Sequence, residues 1–455
     1  MRRSWLAESI LVPVLSMVCA CTWTRFDDVT DNPPVEKLVT PNNASGIGVS
    51  MTTFSAADGI DLAVTSQDEL VIYNLGSGAA PSRNAAAVQP CNGDASCVLA
   101  KQLAGLGHSA LLENFGCVAY GVGTSTDDTG AAIGNIWLFC EDMQRRSLPV
   151  SDSLAAWLSG HTITNKTLVN MSTTRRSDVR PLVPDASTRP ADATPLVVAV
   201  PDASVILYYD GVEPVPVELP TLPYGQVAGR AVAVIGEPTG YLIAASSIDP
   251  DNNVWLYRVK DDRTTALVGC IQGPAEFGRL MATGNFDDDE VDDLAVADEQ
   301  SVTIIKGSSL SSIADSANIT CTSLDATQII GPVQCSRWSV LDGCAAEPFA
   351  ESLASGNLDG VGPDELIVGV PGTSVRGESA AGAVFIHSTA SGSVRTVQGL
   401  YVSTASSGDL LGNSIAIAHV SDIDTVIAGA PGISSVMAFY CNSLMPAQSK
   451  SARCP

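Results

Sequence analysis

The chain has 455 residues, enough for a large buried core or for several domains. Its 39 Gly, 26 Pro and only 16 % charged residues imply many turns and short strands, with few long helices. A formal charge of −25 argues against a nucleic-acid partner, since that binding neutralises phosphate with Lys and Arg; it suits a surface that stays soluble or captures cations.

At the N-terminus, Arg2 and Arg3 precede an apolar run from Ile10 to Ala20, too short to span a bilayer as a helix. This is the layout of a secretory signal over residues 1–20. The run ends in "VCAC", which resembles the lipobox of bacterial lipoproteins, with Val18 three residues before Cys21 and Ala20 just before it. The resemblance implies cleavage before Cys21 and acylation of that cysteine; the alternative is an ordinary signal that happens to contain a cysteine. Residues 21–34 are polar and contain proline, as a tether to a membrane would be. Export also fits the cysteines. Of twelve, Cys19 leaves with the signal and Cys21 carries lipid, so an even ten remain for disulfides. No CxxC occurs and His numbers four, which disfavours zinc.

From residue 35 onward one order of elements recurs seven times: a short strand, a loop, an apolar strand, a turn and a third strand. The first strands are expected at "IGVSMTTF" from Ile47, "LGHSALLE" from Leu106, "SGHTITNK" from Ser159 and "VAGRAVAV" from Val227, then at "FGRLMATG" from Phe277, "FAESLASG" from Phe349 and "LGNSIAIA" from Leu411. Periods of about 45 to about 80 residues suit a β-propeller with insertions. Repeats of a few short strands cannot bury both faces alone, but stacked radially as blades they can. Small residues in the second strands (Ala63, Ala199, Ala244, Ala295, Gly369, Gly429) suit a crowded centre. The expectation is an all-β fold, a seven-bladed propeller of four-stranded antiparallel blades over residues 35–455.

"FG" at Phe277–Gly278 and "GAP" at Gly429–Pro431 resemble the two ends of the FG-GAP repeat of integrin α subunits and many bacterial surface proteins. The resemblance covers roughly Ala44 to Cys441. It implies a ring closed by pairing an N-terminal strand into the last blade, for which "VEKLVT" (Val35 to Thr40) is the candidate. It also implies calcium loops between first and second strands.

"GNFDDDEVDDLAV" (Gly284 to Val296) fits such a loop, packing six acidic residues into thirteen positions. Ca²⁺ takes six to eight hard oxygen ligands, so carboxylates at alternate positions plus a carbonyl can wrap it. Matched to the repeat, the ligands are Asn285, Asp287, Asp289 and Asp293, with the carbonyl of Val291. Glu290 stands where the repeat usually has Gly. The competing reading is a solvated acidic turn. The sixth repeat keeps Asn357, Asp359 and Glu365, with Gly362 at the turn; Val361 replaces an acid, for which Asp364 is a candidate substitute. Asp58 and Asp61 of the first repeat are out of frame, and "DPDNN" from Asp249 reads as a hairpin turn. Calcium here would be structural, tying strands together.

Signs of catalysis are weak. "GHSA" at Gly107 and "GNSIA" at Gly412 hint at a hydrolase elbow, yet both fill a slot of the repeat, and His108, His161, His387 and His419 fall at repeat positions or strand ends. Cys117 and Cys140, at the start of a second strand and the end of its antiparallel neighbour, should face each other and bond. Cys91–Cys97 and Cys335–Cys344 are spaced to pin loops, and Cys441–Cys454 to fasten the tail. Cys270 and Cys321 remain, in the expected outer strands of consecutive blades, as a blade-to-blade bridge. Long insertions are expected at Gly76 to Ala104, Ser172 to Thr194 and Thr322 to Pro348. The last presents Arg337 and Trp338, residue types of binding hot spots or of rim packing. The chain reads as a non-enzyme: a calcium-stabilised binding or adhesion module, lipid-anchored at the outer membrane or cell surface. Its ligand would be a protein or glycan, and membrane contact would come through the anchor only. The rivals are an envelope scaffold and, less favoured, a hydrolase using the channel.

Overall fold

The computed structural model describes residues between 35 and 439, with interruptions of which the longest are 77–84, 89–98, 107–116, 123–135, 161–169, 174–194 and 332–339. The signal, Cys21 and the tether lie outside the described residues. So do Cys91, Cys97, Cys335, Cys344, Cys441 and Cys454, and also Asp58, His108, His161, Arg337 and Trp338.

The architecture is nearly all-β and propeller-like, and among the described residues seven sheets of four or five strands follow one another along the chain. Sheet 1 comprises Ser50–Ala56, Gly59–Thr65, Leu70–Gly76 and Ala85–Val88. Sheet 2 comprises Leu99–Leu106, Cys117–Val122, Ile136–Cys140 and Arg145–Ser147. Sheet 3 is built from Asn170–Thr173, Leu196–Val200, Val205–Tyr209 and Val217–Glu218. Sheet 4 takes Val227–Glu237, Gly240–Ile248, Asn253–Lys260 and Thr265–Gln272. Sheet 5 has Leu280–Gly284, Asp293–Ala297, Val302–Ile305 and Gln328–Ile330. Sheet 6 uses Ser352–Gly356, Glu365–Val370, Ala383–Ser388 and Arg395–Leu400. Sheet 7 contains Ile415–Val420, Ile423–Ala430 and Ser435–Phe439, and its fourth strand is Val35–Leu38, antiparallel to Ser435–Phe439.

Each sheet buries its faces against its neighbours. One core cluster joins sheets 3 and 4 through Val197, Tyr208, Val234 and Trp255, and another joins sheets 5 and 6 through Phe286, Ile304, Leu366 and Phe385. A further cluster joins sheet 7 to sheet 1 through Ile427, Val436, Leu62 and Val71. The second strands are covered on both faces, so they read as unbroken apolar runs rather than alternating ones: "LVVAV", "DLAVA" and "ELIVGV" are buried at every position. The first strands of successive sheets lie beside one another from sheet 1 to sheet 7, and that of sheet 7 lies beside that of sheet 1.

The second strands carry small residues because the next sheet's backbone presses on them. Gly278 (φ +89°) and Gly412 (φ +88°) sit in turns just before first strands, and a Cβ on Gly278 would collide with Ser246 of sheet 4. A Cβ on Gly412 would come within 3.1 Å of the Gly369 Cα of sheet 6. The crowding foreseen at Gly369 and Gly429 is therefore a seam between sheets. Gly429 in turn packs on Gly48, and Ser414 Oγ donates to the Gly48 carbonyl at 2.7 Å. The serine of "GNSIA" is thus a seam residue.

Two expected first strands are displaced. In sheet 2 the strand is Leu99–Leu106, which pairs with Cys117–Val122 so that "GHSALLE" falls after it. In sheet 3 the strand is Asn170–Thr173, and "SGHTITNK" begins instead at the end of helix α1 (Asp152–Gly160). That segment lacks β-branched residues and spaces Leu154 and Trp157 three apart, which places both on one helical face. Leu154 is buried in the sheet 2–3 core, and Ser151 caps the helix by accepting the Leu154 N–H at 3.4 Å. The expected insertions also hold strands: Ala85–Val88 and Leu99–Leu106 in the first, Cys321–Ser323, Gln328–Ile330 and Leu341–Asp342 in the last.

Both disulfides among the described residues are ones expected from the sequence. Cys117 and Cys140 are direct partners on neighbouring strands with Cα atoms 4.0 Å apart. Cys270–Cys321 pins Cys321–Ser323 as a parallel fifth strand on the outer edge of sheet 4. The bond therefore joins two strands of one sheet and is not the blade-to-blade bridge expected from the sequence: the outer strand of sheet 5 is Gln328–Ile330, not the strand of Cys321. Helix α2 (Gly307–Ala314) follows the third strand of sheet 5 and buries Leu310 and Ala314 in the sheet 4–5 core. Arg258 braces it, bonding Asp315 at 2.7 Å and buried Glu237 at 3.2 Å, while Ser311 Oγ donates to Glu237.

Candidate metal centre

The loop 285–292 joins the first and second strands of sheet 5, and the pairing of Gly284 with Asp293 closes its neck. Asp293 is fully buried; its Oδ2 accepts the Phe286 N–H at 2.8 Å and its Oδ1 the Gly307 N–H at 2.7 Å. Asp289 Oδ1 accepts the Val291 N–H at 2.8 Å, and Asn285 Nδ2 donates to the Asp289 carbonyl. Asp287 Oδ2 pairs with Lys306 Nζ at 2.9 Å. The chain turns sharply at Asp288 (φ +61°), a residue type that tolerates the left-handed region. Glu290, where the repeat pattern would place Gly, lies outside the described residues.

These bonds bring together the carboxylates that the spacing singled out. Asp287, Asp289 and Asp293 each offer an oxygen, and the three lie within 4.8 Å of one another. Two oxygens bound to one calcium at 2.3–2.6 Å each can be no farther apart than roughly 5 Å, so the spacing fits. Asn285 Oδ1 and Asp287 Oδ1 are buried and accept no hydrogen bond, a costly state for an oxygen unless a cation or water meets it. Burial pushes the Asp293 carboxyl up to about 7, helped by the charges of Asp287 and Asp289 and opposed by the two amides. The residues present therefore fit a hard divalent cation. Asp287, Asp289 and Asp293 would supply side-chain oxygens, Asn285 has a further buried one, and Val291 is in the same loop.

The described residues of the sixth-repeat loop repeat two of these bonds. Leu358 N–H donates to Glu365 Oε2 at 2.9 Å, and Asn357 Nδ2 to the Gly362 carbonyl at 3.0 Å. Gly362 takes φ +70° at the turn, while Asp359 and Val361 lie outside the described residues. Asp364, the candidate substitute ligand, is engaged elsewhere: its Oδ2 accepts the Asn285 N–H at 2.7 Å, and its own N–H donates to the Asn285 carbonyl at 2.7 Å. Asp292 likewise reaches back one sheet to the Gly236 N–H at 3.1 Å. The sequence reading missed these two latches and Lys306. The signal was the doubled acid before the second strand, "DDL" and "DEL", of which the first member faces the preceding sheet and the second braces its own loop.

Of the histidines, His387 is buried in the third strand of sheet 6, its Nδ1 3.2 Å from Thr396 Oγ1, and His419 lies in the first strand of sheet 7.

No protein-family model matches the chain, and no curated protein matches it. Among solved structures, a chain described as "Crystal Structure of Mitotic Checkpoint Complex" is similar at 11 % identity and a TM-score of 0.46, covering 96 % of this chain and 99 % of that one. A chain of "Crystal structure of the Saccharomyces cerevisiae Sqt1" is similar at 11 % identity and a TM-score of 0.42, covering 85 % of this chain and 82 % of that one. The propeller-like assignment rests on the succession of sheets within the chain itself.

Proposed function

We propose that the chain is a seven-bladed propeller of FG-GAP type, exported and held to the cell surface by a lipid on Cys21, that serves as a calcium-stabilised binding or adhesion module for a protein or glycan. Support for seven blades and a closed ring comes from the seven sheets, the pairing of Val35–Leu38 into the last of them and the contact of sheet 7 with sheet 1. The observation that carries the calcium reading is the convergence of Asp287, Asp289 and Asp293 within 4.8 Å of one another, in a loop where Asn285 Oδ1 and Asp287 Oδ1 are buried and accept no hydrogen bond. Val291 would add its carbonyl, and the sixth loop (Asn357, Asp359, Glu365) would be a weaker second site. Calcium would tie the two strands together and discharge the carboxylates. The ring would then be a rigid platform whose loops contact the ligand.

The test uses the chain from Thr22 onward. Calcium should raise its melting temperature and its retention on glycan arrays or whole cells, and Asp287→Ala/Asp289→Ala should lose both responses. No retention on any glycan or cell would sink the adhesion reading, and retention that ignores calcium and the double substitution would separate adhesion from the metal. No melting shift at millimolar calcium would reduce the loop to a solvated turn.

A further inference from the structure

We propose that Lys306 is a resident counter-ion of the sheet 5 loop, which a divalent cation must displace from Asp287 before it can bind. The inference rests on the calcium reading above and adds what sets the affinity. Lys306 Nζ holds one oxygen of Asp287, at 2.9 Å, while the other oxygen stays buried without a hydrogen-bond donor. Of the three clustered carboxylates one is thus already held by an ammonium, and a metal would bring two more positive charges beside it.

The backbone that carries this lysine cannot retreat. The next residue, Gly307, donates its N–H to Asp293 Oδ1 at 2.7 Å. A Cβ there would collide with the Val291 side chain and come within 2.6 Å of the Asp292 carbonyl, so loop and helix start are in contact. Only the side chain is free to leave. It is 39 % exposed, against 18 % for Asp287, so its ammonium can swing into water on its four-carbon stem. Lys306 therefore does two things at once: it keeps the empty loop folded by discharging Asp287, and it opposes the metal. Both effects move the response toward the submillimolar to millimolar calcium range typical of extracellular modules.

The test compares the chain from Thr22 onward with its Lys306→Met and Lys306→Arg variants, using calcium titration calorimetry and melting in chelator and in calcium. Lys306→Met keeps the stem and removes the charge. It is expected to bind calcium about tenfold more tightly, to melt lower than the parent in chelator and to show a larger calcium-induced rise. Lys306→Arg should stay near the parent in all three. Parent binding with unchanged or weaker affinity in Lys306→Met overturns the counter-ion role and leaves the calcium reading standing. If neither protein binds calcium at millimolar concentration, the calcium reading fails and this inference fails with it.

Discussion

Single residues carry more of this fold than their size suggests. Gly278 combines a left-handed backbone with a seam that has no room for a Cβ, so Gly278→Ala should cost about 3 kcal/mol in urea unfolding. A loss under 1 kcal/mol would mean that the sheet 4–5 seam yields easily. His387 has a different effect, one set by pH. Burial holds its imidazole down to about 3, below the ordinary 6.5. As pH falls through 6.5 the unfolded chain takes up a proton that the folded chain refuses, so stability present above that pH is lost by about 1.4 kcal/mol per pH unit until about 3. Unfolding at pH 7 and pH 4.5 should show this loss, and His387→Gln should shrink it.

The elements show what the sequence could and could not reveal. The second strands were legible because double-sided burial writes itself as an apolar run, as in "ELIVGV". The clustering of Asp287, Asp289 and Asp293 was legible for a similar reason, since a loop that curls on itself brings alternate positions to one side. The first strands of sheets 2 and 3 were not. A Gly-x-Ser or Gly-x-Thr pattern resembles the seam motif but carries no apolar alternation to fix a strand, and "DSLAAWLSG" satisfies a helix better. Lys306 and the latch between Asp364 and Asn285 were also hidden, because their partners come from elsewhere in the fold. Asp364 tests that lesson: Asp364→Ala leaves the Asn285 N–H without this acceptor and should cost about 2 kcal/mol, while Asp364→Asn, which keeps an acceptor oxygen, should cost less. Equal losses in the two variants would deny the latch.

For the whole molecule, the fourth strand of sheet 7 comes from the opposite end of the described chain. Val35–Leu38 covers the edge of Ser435–Phe439, so a chain beginning at residue 41 should expose that edge and self-associate, as seen in sedimentation. A truncated chain that stays monomeric with unchanged melting would show the strand to be dispensable. The Cys270–Cys321 bond matters at the same scale, because it closes a loop of 51 residues around three strands of sheet 5, the acidic loop and α2. Losing it should cost about 4 kcal/mol in the chain-entropy account.

That bond would also have a mechanical meaning under the proposed tether. When the chain is pulled from its termini, tension passes from Cys270 to Cys321 through sulfur and never enters the segment between them. The acidic loop would then stay folded while the rest of the chain is drawn out. In a single-molecule pulling experiment, Cys270→Ser/Cys321→Ser should lengthen the fully extended chain by about 170 Å, the contour that the 51-residue separation conceals.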